Sequence, residues 1–277
     1  MAQGIIALDI DGTLVQRHRP LSLPITDFLA SLHQDGWQIL FATGRTIRWS
    51  LEHLFTLPFP FFLAPYNGAC LCSFPDGTML ASAFMTRSDV LRLESLSEKL
   101  GSVVYEAGGE ERIWYTKPSF PLSVLTHIQN RQKRQKEQWT AIGSLAELPE
   151  VDLASVRFFA SPDEAKRVSS LAGGMAFRAP TMKDSFDAAV WIVQVTALLA
   201  SKGQALRSLR AVFPKVPEIA AGDDMNDLDL IAEADIGIAM ASAPDELKRL
   251  SLVVAPPGER ALISALRTAV QSFEERQ

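Results

Sequence analysis

Asp9 and Asp11 stand two apart in the run Asp9-Ile10-Asp11-Gly12-Thr13, directly behind the apolar stretch Gly4-Ile5-Ile6-Ala7-Leu8. Side chains two apart on an extended chain project the same way. Two carboxylates held close repel unless a cation lies between them or one takes a proton. A hard divalent cation such as Mg²⁺ suits their oxygens and keeps positions open for phosphate and water. Gly12 lets backbone amides turn toward an anion. The same residues also read as a plain Asp-Gly turn with Asp11 as a cap.

Three other places hold polar groups of the same kind. Gly222-Asp223-Asp224-Met225-Asn226-Asp227 sets three acids and an amide within five residues, a dense set of oxygen ligands, or else an acidic helix start favoured by the dipole. Thr43-Gly44-Arg45 offers a hydroxyl and a glycine amide that could hold phosphate oxygens, or a threonine N-cap. Lys202 opens a helix, where its charge opposes the dipole. A phosphate beside it would reverse that penalty, whereas a solvated lysine would simply bear it.

These groups can act together only if their elements end at one edge. Gly4–Ile10, Gln38–Ala42 and Phe61–Ala64 read as buried strands, with helices over Pro24–Asp35 and Thr46–Leu54 between them. The pattern returns late in the chain: helix Ser201–Val212, strand Glu218–Ala221, helix Asp227–Ala234, strand Ile236–Met240, helix Pro244–Leu250, strand Leu252–Ala255 and helix Arg260–Arg276. Strand and helix in alternation specify an α/β fold with a doubly wound parallel sheet, whose ligands lie beyond the carboxyl ends of the strands. The middle reads as α+β. Val103–Tyr105 and Ile113–Tyr115 flank the turn signal Gly108-Gly109, Leu122–Trp139 is a basic helix with Arg131, Lys133, Arg134 and Lys136, Val156–Phe159 and Phe186–Val195 are strands, and Asp163–Leu171 is a helix. The expected division is a core of residues 1–83 plus 191–277 and an inserted α+β domain of residues 84–190.

Composition narrows the class. The 277 residues are 47% hydrophobic and 21% charged, with net charge −5. That balance fits a globular chain with no overall attraction to nucleic acid or anionic membranes. No targeting segment is visible, and the apolar stretch Ala188–Ala200, broken by Gln194 and Thr196, falls short of a membrane span. Cys70 and Cys72 exclude a disulfide framework, read as small apolar fillers, and fit a cytoplasmic setting.

Taken jointly, the four motifs resemble the haloacid dehalogenase superfamily of phosphohydrolases. Asp9–Thr13 matches its first motif, Thr43 its second, Lys202 its third and Gly222–Asp227 its fourth. Asn67-Gly68-Ala69 resembles an element of the Cof-type branch, whose type IIB cap is inserted between the second and third motifs. Asp224 and Ala241-Ser242-Ala243 stand where relatives usually carry Asn and Gly-Asn-Ala.

The resemblance implies a Rossmann-like core with a cap that closes over the site. It implies Mg²⁺-dependent hydrolysis of small phosphorylated metabolites, such as sugar phosphates or phosphorylated cofactors. Asp9 would be the nucleophile that forms an aspartyl phosphate, and Asp11 the general acid and base. The metal would rest on the Asp9 carboxylate, the Asp11 backbone carbonyl and Asp223, with Asp227 behind them or bound through water. Thr43, Gly44, Lys202 and Asn226 would hold the phosphoryl oxygens. Asn67, Arg45 and, in the cap, Arg178 and Lys183 are candidates for touching the substrate. Partners would be the small substrate alone, neither nucleic acid nor membrane, with the chain a monomer or small homo-oligomer. A phosphotransferase or mutase, or a non-catalytic sugar-phosphate-binding protein, would use the same motifs.

Overall fold

A computed structural model describes the chain except residues 1, 16–19, 109–110, 117–119, 121–123, 127–128, 130–137, 185–186, 188, 257 and 276–277, and the side chains of 254 and 274. The chain divides into two compact units, Met1–Ser82 with Ser201–Gln277, and Ala83–Ala200.

The first unit is built on an eight-stranded sheet. From edge to edge it runs Val253–Ala255, Ile236–Met240, Glu218–Gly222, Gly4–Leu8, Trp37–Ala42, Phe61–Ala64, Cys70–Phe74 and Met79–Ser82. The first six strands are parallel. The last two turn back antiparallel to form an edge hairpin, which the sequence patterns above do not anticipate.

The continuous apolar runs are explained by burial of both faces of the sheet. Ile6, Leu8, Ile39 and Phe41 pack on one face under Ile25, Phe28 and Leu29 of helix Leu23–Gln34 and Leu262 and Leu266 of helix Glu259–Glu274. Their sequence neighbours Ile5, Ala7 and Leu40 pack on the other face under Leu206 and Leu209 of helix Lys202–Val212 and Leu230 and Ile231 of helix Leu228–Glu233. Each such fully buried Leu or Ile contributes about 1.5–3 kcal/mol. Cys70 and Cys72 are buried and not joined in a disulfide.

The second unit is a seven-stranded sheet in the order Phe177–Arg178, Trp191–Ala197, Leu153–Ala160, Ser102–Glu106, Ile113–Thr116, Trp139–Ile142, with Thr181–Lys183 also pairing to Trp191–Ala197. Helices Arg87–Leu91, Glu94–Ser97 and Pro162–Gly174 give Val90, Leu96, Val168 and Ala172 to a core with Val104, Val156, Phe158, Val193 and Val195. Ile113–Thr116 runs parallel to Trp139–Ile142, whereas the other described strand pairs of this sheet are antiparallel. The expected basic helix Leu122–Trp139, with Arg131, Lys133, Arg134 and Lys136, lies largely outside the described residues, and Trp139 itself opens a strand. Gly109 and Phe186 also lie outside them.

The second boundary differs from the expected residue 190. Trp191–Val195 pairs with Val156–Ala160, and Thr196 and Ala197 pair with Arg178 and Phe177, so residues 191–200 belong to the inserted unit. Among the described residues no helix is long and apolar enough to cross a membrane.

Candidate active site at the carboxyl ends of two central strands

Gly4–Leu8 and Glu218–Gly222 lie side by side, with Leu8 opposite Ala221. From the first the chain winds toward Trp37–Ala42 and Phe61–Ala64; from the second it winds the other way, toward Ile236–Met240. The order therefore reverses between these two strands, and a crevice opens at their carboxyl ends. Asp9 and Asp223 are the residues that immediately follow them, and the Asp9 amide donates to the Ala221 carbonyl at 3.0 Å.

Lys202 ties these loops together. Its ammonium, 1% exposed, donates to Asp9 Oδ1 at 2.6 Å and to Asp227 Oδ1 at 2.5 Å. The reading of a solvated lysine is thereby excluded. Asp227, fully buried, accepts on Oδ2 from the amides of Asp223 and Asp224 at 3.0 and 3.1 Å. It thus shapes its own loop while facing Lys202. Asp224 caps the short turn Met225–Asp227. Gly12 has φ +88°, and a Cβ there would fall 2.0 Å from Asp223 Oδ2, so only glycine lets the first loop pass this acid.

Carboxylate oxygens of Asp9, Asp223 and Asp227 lie within 4.8 Å of one another. One ammonium among three carboxylates leaves an excess of negative charge in a buried place. Burial, together with Asp227 and Asp11, overcomes the opposing pull of Lys202 and raises Asp9 to about 7. Burial, reinforced by Asp9 and Asp227, raises Asp223 to about 9. For Lys202, burial works against the charge, but Asp227 and Asp9 outweigh it and the ammonium is held more firmly than usual. Asp9 Oδ2 is buried with no hydrogen-bond partner among the described residues. An orphaned carboxylate oxygen, hard oxygen donors and unbalanced negative charge together fit a divalent cation such as Mg²⁺.

Asp11 is placed differently. Its carboxylate, with the side chain 44% exposed, is held by Arg45 Nε and Nη2 at 2.6 Å each. Arg45, a candidate for touching substrate, has a side chain only 1% exposed; its Nη1 donates to His53 Nδ1 at 3.0 Å and its guanidinium lies 4.6 Å from the Trp49 ring centre. Trp49 and His53, one turn apart on helix Ile47–Leu54, meet Arg45 from the helix that follows it; their spacing was the available signal for half of this stack, while Arg45 precedes the N-cap and carries no helical phase.

Thr43 is buried at the end of Trp37–Ala42 and is not the N-cap of the helix that follows. Thr46 has that role, accepting from the Trp49 amide at 3.2 Å. The Thr43 hydroxyl accepts from the Arg45 amide at 3.2 Å, which leaves its own hydrogen to donate. Gly44 follows it. Asn226 Nδ2 donates to Asn67 Oδ1 at 2.9 Å, so these two expected ligands meet each other across 159 residues of sequence. In the second unit, Arg178 Nε donates to the Leu198 carbonyl at 3.1 Å, and Lys183 lies 5.9 Å from the Trp191 ring centre.

A family model described as haloacid dehalogenase-like hydrolase matches residues 6–260. The chain is 25% identical over 272 residues to phosphatase YwpJ of Bacillus subtilis, covering 89% of this chain and 92% of that one. It is 23% identical over 253 residues to the 5-amino-6-(5-phospho-D-ribitylamino)uracil phosphatase YitU of the same organism, covering 89% and 90%. Among solved structures, the fold is shared with the phosphatase BT1666 of Bacteroides thetaiotaomicron at TM-score 0.76 and 21% identity, over 97% of this chain and 96% of that one. It is shared also with the subclass IIB sugar phosphatase BT4131 at TM-score 0.73 and 19% identity, over 96% and 98%.

Proposed function

The chain belongs to the haloacid dehalogenase-like hydrolases, and from that premise we propose that it is a Mg²⁺-dependent phosphatase that hydrolyses small phosphate monoesters, of the sugar-phosphate or phosphorylated-cofactor class, through a phosphorylated Asp9. The observation that carries this reading is the buried Asp9–Lys202–Asp227 chain, with Asp223 beside it and Asp9 Oδ2 unpartnered. The names of the relatives, one a phosphatase of a phosphoribityl compound and one a sugar phosphatase, support the substrate class.

The Asp9 carboxylate attacks phosphorus, forming an Asp9–O–P bond as the bond from phosphorus to the ester oxygen breaks. Asp11 gives a proton to the departing oxygen. Water then attacks the phosphorylated Asp9, Asp11 takes its proton, and inorganic phosphate leaves with the Asp9 carboxylate restored. The Thr43 hydroxyl, the Gly44 amide and the Lys202 ammonium hold the phosphoryl oxygens, where the charge resides throughout. Asp9, Asp223 and the Asp11 carbonyl would hold Mg²⁺, with Asp227 behind them; bound there, the ion neutralises charge on the transferring group.

The test is phosphate release from a panel of phosphorylated metabolites, with Mg²⁺ or with EDTA, for the native protein and Asp9→Asn. Release that needs both the metal and Asp9 is the expected result. Asp9→Asn turning over at the native rate would remove Asp9 from the chemistry, and release undiminished by EDTA would remove the metal.

A further inference from the structure

The chain's two cysteines, Cys70 and Cys72, take no part in the chemistry above. They stand two apart on strand Cys70–Phe74, so their side chains share a face. Leu71 between them packs on the opposite face with Leu206 and Leu209. Each cysteine is 3% exposed. Apolar fillers need only fit their holes, but these thiols also touch. The Cys70 thiol donates a hydrogen bond to the Cys72 sulfur, and this bond outweighs burial and holds Cys72 below the usual thiol range.

The strand beside them is the edge of the sheet. Leu71 pairs with Ala81 but Cys72 pairs with Met79, which leaves Leu80 as an extra residue in the outer strand. Such a bulge interrupts the ladder, and Met79 and Leu80 are 44% and 41% exposed. An edge with few buried contacts opens locally at low cost, which admits a small oxidant.

In the other direction the strand leads into the site. Cys70 directly follows the turn of residues 65–69, in which the Gly68 and Ala69 amides donate to the Pro65 carbonyl at 2.9 and 3.1 Å. The Asn67 amide donates to the Thr43 carbonyl at 2.8 Å. Gly68, at φ +85°, passes so close to the start of the Lys202 helix that a Cβ would fall 2.1 Å from the Ser201 carbonyl. A turn packed this tightly against both the Thr43 loop and the Lys202 helix passes on any shift of Cys70.

We propose that Cys70 and Cys72 are an oxidation site that closes to a disulfide under hydrogen peroxide and slows the reaction by drawing on the turn before them. Only the effect on rate rests on the phosphatase reading. The Cys72 thiolate attacks one peroxide oxygen, the O–O bond breaks, and the hydroxide released takes up the thiol proton as water, leaving a sulfenic acid on Cys72. The Cys70 sulfur then attacks the Cys72 sulfur. The S–S bond forms, the S–O bond breaks, and the hydroxide leaves with the Cys70 proton as a second water. Two thiols are oxidised and one peroxide is reduced. Cα atoms two apart on a strand are roughly 6.6 Å apart, near the upper end of the span of about 4.4–6.8 Å that a disulfide bridges. The bridge therefore pulls Cys70 toward Cys72 and is strained, and strained disulfides are readily reduced again.

The Mg²⁺-loaded protein is treated with hydrogen peroxide, and mass and phosphate release are followed before and after dithiothreitol. The peptide holding both cysteines should lose about 2 Da, its two thiol hydrogens. The kcat/KM should fall about 10- to 100-fold, the cost of a small misplacement in the site. Dithiothreitol should restore both, whereas methionine oxidation adds mass and outlasts a thiol reductant. Cys70→Ala should stop at a Cys72 sulfenic acid that dimedone captures. The double variant Cys70→Ala/Cys72→Ala cannot bridge and should keep its activity through the treatment. Two cysteines that both remain open to alkylation after peroxide would overturn the proposal. So would a bridged protein within twofold of native kcat/KM, or a double variant that loses as much activity as the native chain. An untreated protein that hydrolyses no ester would overturn the phosphatase reading instead, while the peptide mass still decides the bridge.

Discussion

Arg45 and Asp11 form a two-pronged ion pair with one partner buried and the other half in water. The buried partner is itself held, by His53 at its far nitrogen and by the Trp49 ring at its face. A side chain fixed on three sides makes a rigid anchor for Asp11 in its ionised form, the form that takes the proton of the attacking water; to carry a proton to the departing oxygen Asp11 must let go of one prong. Arg45→Ala should therefore lower kcat by about 10²–10³-fold, within the range for losing general acid–base catalysis. Arg45→Lys should not restore it, because an ammonium cannot reproduce the fork. Steady-state kinetics decide the matter; a Lys variant close to native activity would show that only the charge matters.

Among the described residues Lys202 is the single ammonium touching Asp9 and Asp227. Lys202→Met keeps the volume and removes the charge, leaving those buried acids to face each other. Breaking such a pair from one side costs about 3–5 kcal/mol. In EDTA the variant should melt well below the native protein, and its turnover should be lost. An unchanged melting temperature would mean that the carboxylates relax by taking up protons.

The metal-free protein should lose stability as pH rises. Asp9 is raised to about 7 and Asp223 to about 9, both above their ordinary 3.8. The folded state thus holds protons that the unfolded chain releases, and the contribution, complete below about pH 4, fades through pH 7 and on toward 9. A bound cation needs these carboxylates ionised, so the rise in melting temperature on adding Mg²⁺ should grow across the same window. Melting curves from pH 5 to 9 with Mg²⁺ and with EDTA test both trends. A metal effect that shrinks with pH would contradict the assignment of these acids.

Gly12→Ala should damage the site and the fold together. The left-handed backbone alone costs roughly 1–2 kcal/mol, and the new methyl would lie 2.0 Å from Asp223 Oδ2. Reduced stability with weaker Mg²⁺ binding by calorimetry is expected. Unaltered metal affinity would place Asp223 outside the metal site.

The core sheet was legible because its strands are buried on both faces and its helices carry apolar stripes, so each element announced its type. The Cys70–Phe74 and Met79–Ser82 hairpin was not, since its outer strand is largely exposed and carries no periodic signal. The boundary after Ala200 was missed because Trp191–Ala197 reads as a buried strand that either unit could have claimed. The structure brings together Asp9, Lys202, Asp223 and Asp227, which the sequence offered as acids directly after apolar strands and a lysine at a helix start. The pairings of Arg45 with Asp11 and of Asn226 with Asn67 depend on side-chain direction across distant loops, which residue types alone do not encode.

The separation of 193 positions from Asp9 to Lys202 also sets an order of assembly. As the chain leaves the ribosome, Gly4–Leu8 can pair at once with Trp37–Ala42, but its other neighbour, Glu218–Gly222, is made only after the whole inserted unit. Until then one side of the central strand is an open apolar edge. Inside it the Asp9 carboxylate waits without its cation. Chaperone demand should therefore fall on this interval of synthesis, and chains truncated between Ala200 and Glu218 should aggregate, although they contain every residue of the inserted unit.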